Sequence, residues 1–230
     1  MSAAAGPVAW YRFESLADTS EALAEAVAVA LSAAIAARGS ALLAVPGGNT
    51  PARFLGTLGE RALAWDKVTV LPTDERFVAP NDPASNERMI REAFAPLREG
   101  GAGFVSFHNA GDDLAAAARS LDGVLSRLPP IDVLVSGMGA DGHIASLFPG
   151  DDAAANAGDA VHAVAAKPAG LPPRISLSPA RLRSAGWAAL LIAGEDKEET
   201  LKAAQDLPAA YPVGILLRRQ QGLDVYWAKA

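Results

Sequence analysis

The residues best suited to chemistry lie in the run Asp141-Gly142-His143, within the segment 131–150. A carboxylate two residues from an imidazole in a tight turn can orient the ring and help it move a proton. Residues 131–135 are rich in β-branched side chains and predict a buried strand just before this turn. Because ligands bind at the carboxyl ends of strands in open α/β sheets, the turn is a candidate active site.

The same turn also fits a different pattern. Gly137, Gly139 and Gly142 match the dinucleotide-binding sequence G-x-G-x-x-G after a strand. That motif needs a long helix behind the third glycine, whereas Pro149-Gly150 follows seven residues later and leaves room for a turn or two. The match favours a glycine-rich turn that shapes a loop over nucleotide binding.

Composition excludes several classes of protein. The 230 residues, 50% of them hydrophobic, are enough for one large domain or two small ones. The 26 acidic residues outnumber the 20 basic ones, and the net charge of −6 argues against non-specific nucleic-acid binding. The absence of cysteine excludes disulfides, thiolate nucleophiles and cysteine-based metal sites, and it fits a cytoplasmic protein.

No segment of the sequence predicts a membrane or secretory function. The first residues, MSAAAGPVAWYRF, lack the basic start and apolar run of a signal peptide. The longest Ala/Val-rich run, residues 26–37, is too short to span a bilayer. Residues 150–158 are small and acidic and are interpreted as a loop, not a boundary. We therefore expect one soluble domain over residues 1–230, monomeric or a small homo-oligomer, with no membrane or nucleic-acid partner.

A second candidate site, PGGNTP at residues 46–51, follows a predicted strand at residues 41–45. Thr50 is expected to cap the next helix and Pro51 to occupy its first position. Glycines let the backbone approach a ligand, and free amides at a helix N-terminus attract phosphate. A plain strand–turn–helix joint remains the alternative. The G-K-[ST] ending of a Walker loop is missing, so this is not an ATPase signature.

Charged and polar side chains follow other predicted elements. Asp74-Glu75-Arg76 comes after a strand at residues 68–71, and a surface ion cluster would explain it equally well. Lys197 lies in the first turn of a predicted helix, where the helix dipole disfavours a cation unless it is solvated or faces a bound anion. Arg174 begins an alternating segment at residues 172–178, and Ser85-Asn86 begins another helix.

Strands and helices alternate through the rest of the chain. Helices are predicted after Asp18, Pro51, Ser85, Asp112 or Asp113, and over residues 195–206. Strands are predicted at residues 41–45, 68–71, 104–107, 131–135, 161–165, 172–178, 187–193, 213–217 and 224–227. This alternation predicts a single doubly layered α/β domain with a largely parallel, Rossmann-like central sheet flanked by helices.

The motifs taken together carry a family resemblance. They are Pro46-Gly47-Gly48-Asn49-Thr50-Pro51, Asp74-Glu75-Arg76, Ser85-Asn86, GMGADGHIASLFP at residues 137–149, Pro173-Arg174-Ile175-Ser176 and Gly194-Glu195-Asp196-Lys197. In this order they resemble the 6-phosphogluconolactonase family over nearly the whole chain. The Asp-Gly-His-Ile-Ala-Ser-Leu-Phe-Pro segment is highly specific, whereas the Gly-Gly-x-Thr-Pro loop is shared with related sugar-phosphate enzymes. Asn49 stands where the family often has Ser or Thr.

The resemblance implies hydrolysis of 6-phosphoglucono-δ-lactone to 6-phosphogluconate, without a metal or cofactor. His143 would act as the general base that activates water, and Asp141 would orient or stabilise its ring. The phosphate would bind the amides of residues 47–50. The full set of substrate-binding residues would be Gly47, Gly48, Asn49, Thr50, Asp74, Arg76, Asn86, Arg174 and Lys197, with Asn86 a candidate for a hydroxyl contact.

Two alternatives stay open. The glucosamine-6-phosphate deaminases share the Asp-Gly-His core, and Asp74 matches their catalytic base. Their supporting glutamate is replaced here by Phe148, so the deaminase set is incomplete. A catalytically silent sugar-phosphate sensor could keep the same binding residues, although no basic helix-turn-helix segment is visible.

The remaining candidates for chemistry are few. His108 and His162 have no partner at metal-ligand spacing and are interpreted as structural or surface residues. Ser136 precedes the glycines, but no G-x-S-x-G elbow surrounds it, which argues against a serine hydrolase.

Overall fold

The structure, a computed structural model, describes residues 4–108, 113–150, 160–165 and 170–229. Strands and helices alternate along most of the chain. In order they are β1 (Val8–Phe13), α1 (Leu16–Arg38), β2 (Ala41–Val45), α2 (Asn49–Gly59), β3 (Val68–Pro72), β4 (Asp74–Arg76), α3 (Asn86–Ala93), α4 (Ala95–Arg98), β5 (Gly103–Phe104), α5 (Leu114–Leu125), β6 (Val133–Ser136), β7 (Val161–Val164), β8 (Arg174–Leu177), α6 (Pro179–Arg183), β9 (Trp187–Ala193), α7 (Glu195–Asp206), α8 (Gly214–Leu217) and β10 (Leu223–Ala228).

Seven strands form a central sheet in the order β1-β10-β9-β6-β2-β3-β5. Every neighbouring pair in this sheet is parallel. The order reverses direction at β2, which lies between β6 and β3, so the carboxyl ends of these strands meet at one edge. A crevice at such an edge is the usual ligand site of a parallel α/β sheet. The predicted α/β fold with a largely parallel central sheet is confirmed.

Helices cover both faces of the central sheet. Adjacent residues of β2 point in opposite directions: Leu42 packs in one hydrophobic cluster with α5, α7 and α8, and Leu43 packs in a second cluster with α1, α2 and α3. Both side chains are almost completely buried. Burial on both faces explains why the predicted strands read as continuous apolar runs without polar alternation.

Helix α1 is longer than the apolar run that predicted it. Its N-cap is Ser15, whose Oγ accepts a hydrogen bond from the amide of Asp18, so Asp18 lies in the first turn and is not the cap. This 23-residue helix is long and apolar enough to cross a membrane by length and composition alone, a test that core helices also pass. The face carrying Leu23 and Val27 is buried in the core, as expected of a core helix.

A second, three-stranded antiparallel sheet has the order β4-β8-β7 and was not predicted from sequence. In its register Asp74 pairs with Ser176, and Arg76 lies directly opposite Arg174. The small sheet therefore carries the charged segment that follows β3 back across the carboxyl edge of the large one. It brings together two arginines that are 98 residues apart in the sequence.

Several local predictions are corrected. Residues 213–217, predicted as a strand, contain the short helix α8 instead. The predicted strand at residues 104–107 is reduced to β5, and the edge strand β1 was not predicted. Asp113 is the N-cap of α5, whereas Asp112 and residues 151–158 of the predicted loop lie outside the described residues.

Candidate active site

One cleft at the carboxyl edge of the central sheet collects nearly all of the predicted site residues. It has a volume of about 270 Å³. The exception is Asp141, which stands behind His143. The predicted residues that line the cleft are Gly47, Gly48, Asn49, Thr50, Asp74, Arg76, Asn86, His143, Arg174 and Lys197.

The tight turn after β6 fixes the imidazole of His143. The amide of Gly139 donates to the carbonyl oxygen of His143 at 2.9 Å, and Gly142 adopts a φ of 81° that favours glycine. A Cβ atom on Gly139 would lie 2.2 Å from the ring atoms of His143. Glycine at position 139 is therefore required for the ring to occupy this place. Residues 143–150 form turns rather than a helix, as the argument against a dinucleotide motif expected.

Asp141 holds the other side of the ring. Its Oδ1 atom is 2.6 Å from Nδ1 of His143 and accepts the backbone amide of the same residue at 3.1 Å. Burial raises the pKa of the Asp141 carboxyl, but the hydrogen bonds from His143 outweigh it and the net pKa is lowered. An ionised carboxylate only accepts hydrogen bonds, so the contact assigns the proton to Nδ1. In the neutral imidazole this tautomer leaves a lone pair on Nε2, as a general base requires.

The ring of Phe148 contacts both His143 and Arg174. Its ring centroid is 4.8 Å from that of His143, and the guanidinium carbon of Arg174 lies 5.4 Å from the same centroid. Both contacts are within the range of aromatic and cation–π interactions. Sequence reasoning had used Phe148 only to argue against a deaminase, and no sequence signal indicated that it would touch both groups.

The N-terminus of α2 is open toward the cleft. Its N-cap is Gly48, with a φ of 108°, and no described side chain caps the helix. The prediction that Thr50 caps the helix is wrong, because Asn49 already lies inside it and Pro51 is its third residue. No side-chain cap among the described residues bonds the amides of the first turn, and free amides at a helix N-terminus are the arrangement that binds phosphate.

Arg76 and Arg174 crowd positive charge into the cleft. They are opposite each other in the antiparallel pair of β4 and β8, a position in which like charges destabilise a sheet. The Nε atoms of both are buried without a hydrogen-bond partner among the described residues. Desolvation, the largest cause, lowers the pKa of Arg174; Asp74 opposes the shift and Arg76 adds to it. An anion in the cleft would relieve both the repulsion and the unmet donors.

Asp74 lies deeper in the same wall and is only 5% exposed. Its Oδ2 accepts a hydrogen bond from Ser146 Oγ at 2.5 Å and lies 3.9 Å from Nη1 of Arg174. Asn86 donates from Nδ2 to the backbone oxygen of Asp74 at 2.7 Å, and its own Oδ1 is buried without a partner among the described residues. Sequence reasoning missed Ser146, because its partner is 72 residues away.

A group of titratable residues lies beside the cleft. Glu75, Glu87 and His108 place ligand atoms within 4.8 Å of one another, close enough to hold a metal ion. The sequence-based statement that His108 has no partner for a metal site was therefore wrong, since both partners come from distant segments. Hydrogen bonds from backbone amides, serine hydroxyls and Arg91 already occupy the carboxylate oxygens, so the geometry does not favour a metal.

A second cavity, also of about 270 Å³, lies on the far side of Phe148. Most of the residues that line it are of apolar types, and none of the predicted site residues contributes to it. The concentration of titratable groups therefore points to the first cleft as the site of chemistry.

Fold and site together define a Rossmann-like α/β protein with an Asp–His pair facing a cationic cleft. Comparison with known proteins gives a more specific result. The chain belongs to the glucosamine-6-phosphate isomerases/6-phosphogluconolactonase family, whose profile matches residues 14–227. This confirms the family resemblance seen in the motifs.

Individual relatives agree. The chain is 41% identical over 225 residues to a 6-phosphogluconolactonase of Rhizobium meliloti, covering 94% of this chain and 97% of that one. It is 39% identical to a 6-phosphogluconolactonase of Pseudomonas putida over 89% and 86% of the two chains. The crystal structure of a 6-phosphogluconolactonase from Shewanella baltica superposes with a TM-score of 0.89 at 31% identity, covering 98% of this chain and all of the other.

The fold is also shared with a monomeric glucosamine-6-phosphate deaminase. That structure superposes with a TM-score of 0.80, covering 96% of this chain, at 17% identity. Likeness at this level of identity shows a common fold and carries no information about the reaction.

Proposed function

We propose that this protein is an enzyme that hydrolyses 6-phospho-D-glucono-1,5-lactone to 6-phosphogluconate, a step of the pentose phosphate pathway. One observation carries the proposal. His143, whose Nδ1 contacts Asp141, lines the same cleft as Arg76 and Arg174. Both arginines have a buried Nε donor that is unmet by the described protein groups. The names of the relatives supply the substrate.

In the proposed mechanism His143 acts on water. Its Nε2 takes a proton as the water oxygen attacks the lactone carbonyl carbon and forms a tetrahedral oxyanion. The bond from this carbon to the ring oxygen then breaks, and the imidazolium returns the proton to that oxygen. General base catalysis of this kind contributes a factor of about 10² to 10⁴. A lactone is an activated ester, so neither a metal nor a covalent nucleophile is needed.

Asp141 supports the cycle at the other ring nitrogen. Its carboxylate accepts the hydrogen bond from Nδ1, with Oδ1 2.6 Å from Nδ1, and stabilises the imidazolium formed when water is deprotonated. The ring of Phe148 packs against the imidazole, tilted by 40° with the centroids 4.8 Å apart, and limits its rotation. The base is thus oriented before substrate binds, which is the condition for an efficient proton transfer.

The substrate phosphate is proposed to bind where positive charge is concentrated. The amides at the start of α2 donate to its oxygens, and Arg76, Arg174 and Lys197 supply cations around the same cleft. Guanidinium groups can form paired hydrogen bonds with phosphate, whereas lysine acts as a point charge. Asn86 Oδ1 and the Asp74 carboxylate are acceptors suited to sugar hydroxyls.

Two other functions make different predictions. A deaminase would use Asp74 as a base and would release ammonia from an amino sugar phosphate. Against it, His143 contacts the aromatic ring of Phe148 at the position where a supporting carboxylate would be required. A sensor would bind the sugar phosphate without converting it.

A single assay separates the three functions. Ring opening of the lactone is followed with purified protein against the spontaneous rate, with ammonia release from glucosamine 6-phosphate measured in parallel and a chelator added to one arm. We expect faster ring opening, no ammonia and no effect of the chelator. Ammonia release would support the deaminase, and binding without turnover would support the sensor. Loss of activity with chelator, restored by metal, would overturn the metal-free mechanism.

A further inference from the structure

Glu75 has no part in the mechanism above, although both of its neighbours do. Asp74 and Arg76 line the cleft, whereas the side chain of Glu75 points to the other side of β4 and is only 2% exposed. Alternation along a strand explains the direction. A carboxylate so deeply buried is costly unless its oxygens are well paired, so its partners indicate what it does.

Backbone amides are the main partners of this carboxylate. Oε1 accepts the amides of Arg76 and Asn86, each at 2.7 Å. Oε2 accepts the amide of Glu87 at 2.7 Å and the hydroxyl of Ser85 at 3.1 Å, and it lies 3.2 Å from Nε2 of His108. Every oxygen of the group is therefore occupied by donors from protein.

These bonds join two segments that line the cleft, β4 and the start of α3. Asn86 and Glu87 are the first residues of α3, so the carboxylate occupies the positive end of that helix. The same oxygen that holds the amide of Asn86 holds that of Arg76 on β4. The backbone positions of three cleft residues, Asp74, Arg76 and Asn86, are thereby fixed relative to one another. The N-terminus of α3 is filled by protein, in contrast to that of α2.

We propose that Glu75, supported by His108, is a positioning residue for substrate binding. It does not touch the ligand but sets the spacing between the arginine and the amide that do. The inference rests on the function proposed above. A purely stabilising residue would not affect substrate binding in particular. Glu75 holds groups that line the cleft, whereas the Asp141–His143 pair belongs to a separate segment, so the role proposed for Glu75 concerns binding and not the base.

Glu87 provides a matched control. It belongs to the same cluster and is also buried, at 7% exposure. Its carboxylate accepts bonds from Ser106 Oγ at 2.5 Å and Arg91 Nε at 2.8 Å, and neither residue lines the cleft. Loss of charge at Glu87 should therefore lower the stability of the fold without changing the positions of the cleft residues on β4 and α3.

The experiment compares Glu75→Gln with Glu87→Gln. The glutamine side chain has one NH₂ group in place of a carboxylate oxygen. This donor faces at least one backbone N–H, which is also a donor, so that hydrogen bond to β4 or α3 is lost. We expect KM for the lactone, and the dissociation constant of 6-phosphogluconate measured by calorimetry, to rise about tenfold in Glu75→Gln. The value of kcat should change less than KM, and its dependence on pH should match the wild type. In Glu87→Gln we expect a lower Tm with KM near the wild-type value.

A second variant covers the case in which Glu75→Gln does not fold. His108→Gln removes one contact but leaves the carboxylate charged, and it should raise KM in the same direction by about two- to fivefold. Equal KM changes in the Glu75 and Glu87 variants, or unchanged KM in both the Glu75 and His108 variants, would overturn the proposal. If wild-type protein had no lactonase activity, the proposed function would fail instead, and calorimetry with 6-phosphogluconate would still test the positioning role.

Discussion

Arg219, which is completely buried, and Arg174, which is partly buried, differ in how their guanidinium groups are paired. Arg219 and Arg174 both lose solvent, and desolvation lowers the pKa of each. Arg219 is surrounded by carbonyl oxygens, whereas Arg174 leaves Nε without a partner among the described residues. The first lies in the packed interior, and the second lines the cleft.

The guanidinium of Arg219 is a structural cross-link. It is completely buried and donates five hydrogen bonds to backbone carbonyl oxygens, of lengths between 2.6 and 3.3 Å. Their acceptors are Leu182, Arg183, Ala185, Gly186 and Gly222. The group therefore joins the end of α6 and the approach to β9 with the turn before β10. A charge so completely paired has no capacity left for a ligand.

Arg174 is paired much less completely than Arg219. Among the described residues, the acidic atom paired with it is Oδ2 of Asp74, 3.9 Å from Nη1, and a second arginine lies opposite it. The energetic cost of an unpaired buried donor and of a like-charge neighbour persists in proteins mainly at functional sites. An unpaired Nε is not sufficient by itself, because Arg61 and Arg181 also have one and neither lines the cleft. The combination of unmet donor, like-charge neighbour and cavity makes the difference.

The largest effect is expected from Arg219→Met. The change removes the donors of several buried carbonyl groups, so we expect the free energy of unfolding to fall by about 3–5 kcal/mol. Urea denaturation measures the loss. The kcat/KM of the folded fraction, assayed at low temperature, should stay within about twofold of wild type. A large loss of kcat/KM without loss of stability would show that Arg219 is functional and would break the comparison.

Arg174→Met tests the other half of the contrast. Charge-assisted hydrogen bonds contribute about 1.5–3 kcal/mol, so KM should rise about 10- to 100-fold. Stability should be unchanged or slightly higher, since a poorly paired charge is replaced by an apolar side chain of similar length. Arg174→Lys is the matched control and should recover part of the affinity through its charge alone. An unchanged KM in Arg174→Met would remove this residue from the phosphate site.

Gly47→Ala should have a smaller effect. A Cβ atom at this position would lie 1.8 Å from Oδ1 of Asn86, so the amide must move away from the cleft wall. We expect KM to increase about tenfold through loss of a hydroxyl contact. Gly123→Ala is the control, because a Cβ there meets nothing within 4 Å. Equal kinetics for the two variants would exclude a role for Asn86 in binding.

The smallest effect concerns acid stability at Asp141, whose pKa is lowered from its ordinary value of 3.8. A carboxyl with a depressed pKa stabilises the folded state above its unfolded pKa, and this contribution disappears as the pH falls through the folded pKa. The stability difference between wild type and Asp141→Asn should be constant near neutral pH and shrink below about pH 4. Denaturation curves at several pH values test this. A difference that grew on acidification would contradict the sign of the shift.

The sequence predicts those parts of the site that depend on local chemistry. Asp141 and His143 lie in one turn, and glycines at fixed offsets shape it, so their contact follows from sequence distance alone. The alternation of strands and helices places the turn at the carboxyl edge of the sheet. The assignment of α7 and the position of Lys197 in its first turn were predicted for the same reason.

Contacts between distant segments could not be predicted. The pair Asp74–Ser146 and the pair Glu75–His108 depend on how the second sheet crosses the first, and no periodicity encodes that crossing. The strand predicted at residues 213–217 failed because a short apolar run fits a buried helix equally well. Thr50 was a poor choice of cap because Gly48, two residues earlier, supplies the turn with its left-handed backbone.

The central claim is that His143 is the base and the cationic cleft is the binding site. The most direct test measures His143→Ala twice: lactonase kcat/KM against the spontaneous rate, and affinity for 6-phosphogluconate by calorimetry. We expect kcat/KM to fall by about 10² to 10⁴, with product affinity within about threefold of wild type. Turnover close to wild type in a variant that still binds product would contradict the mechanism.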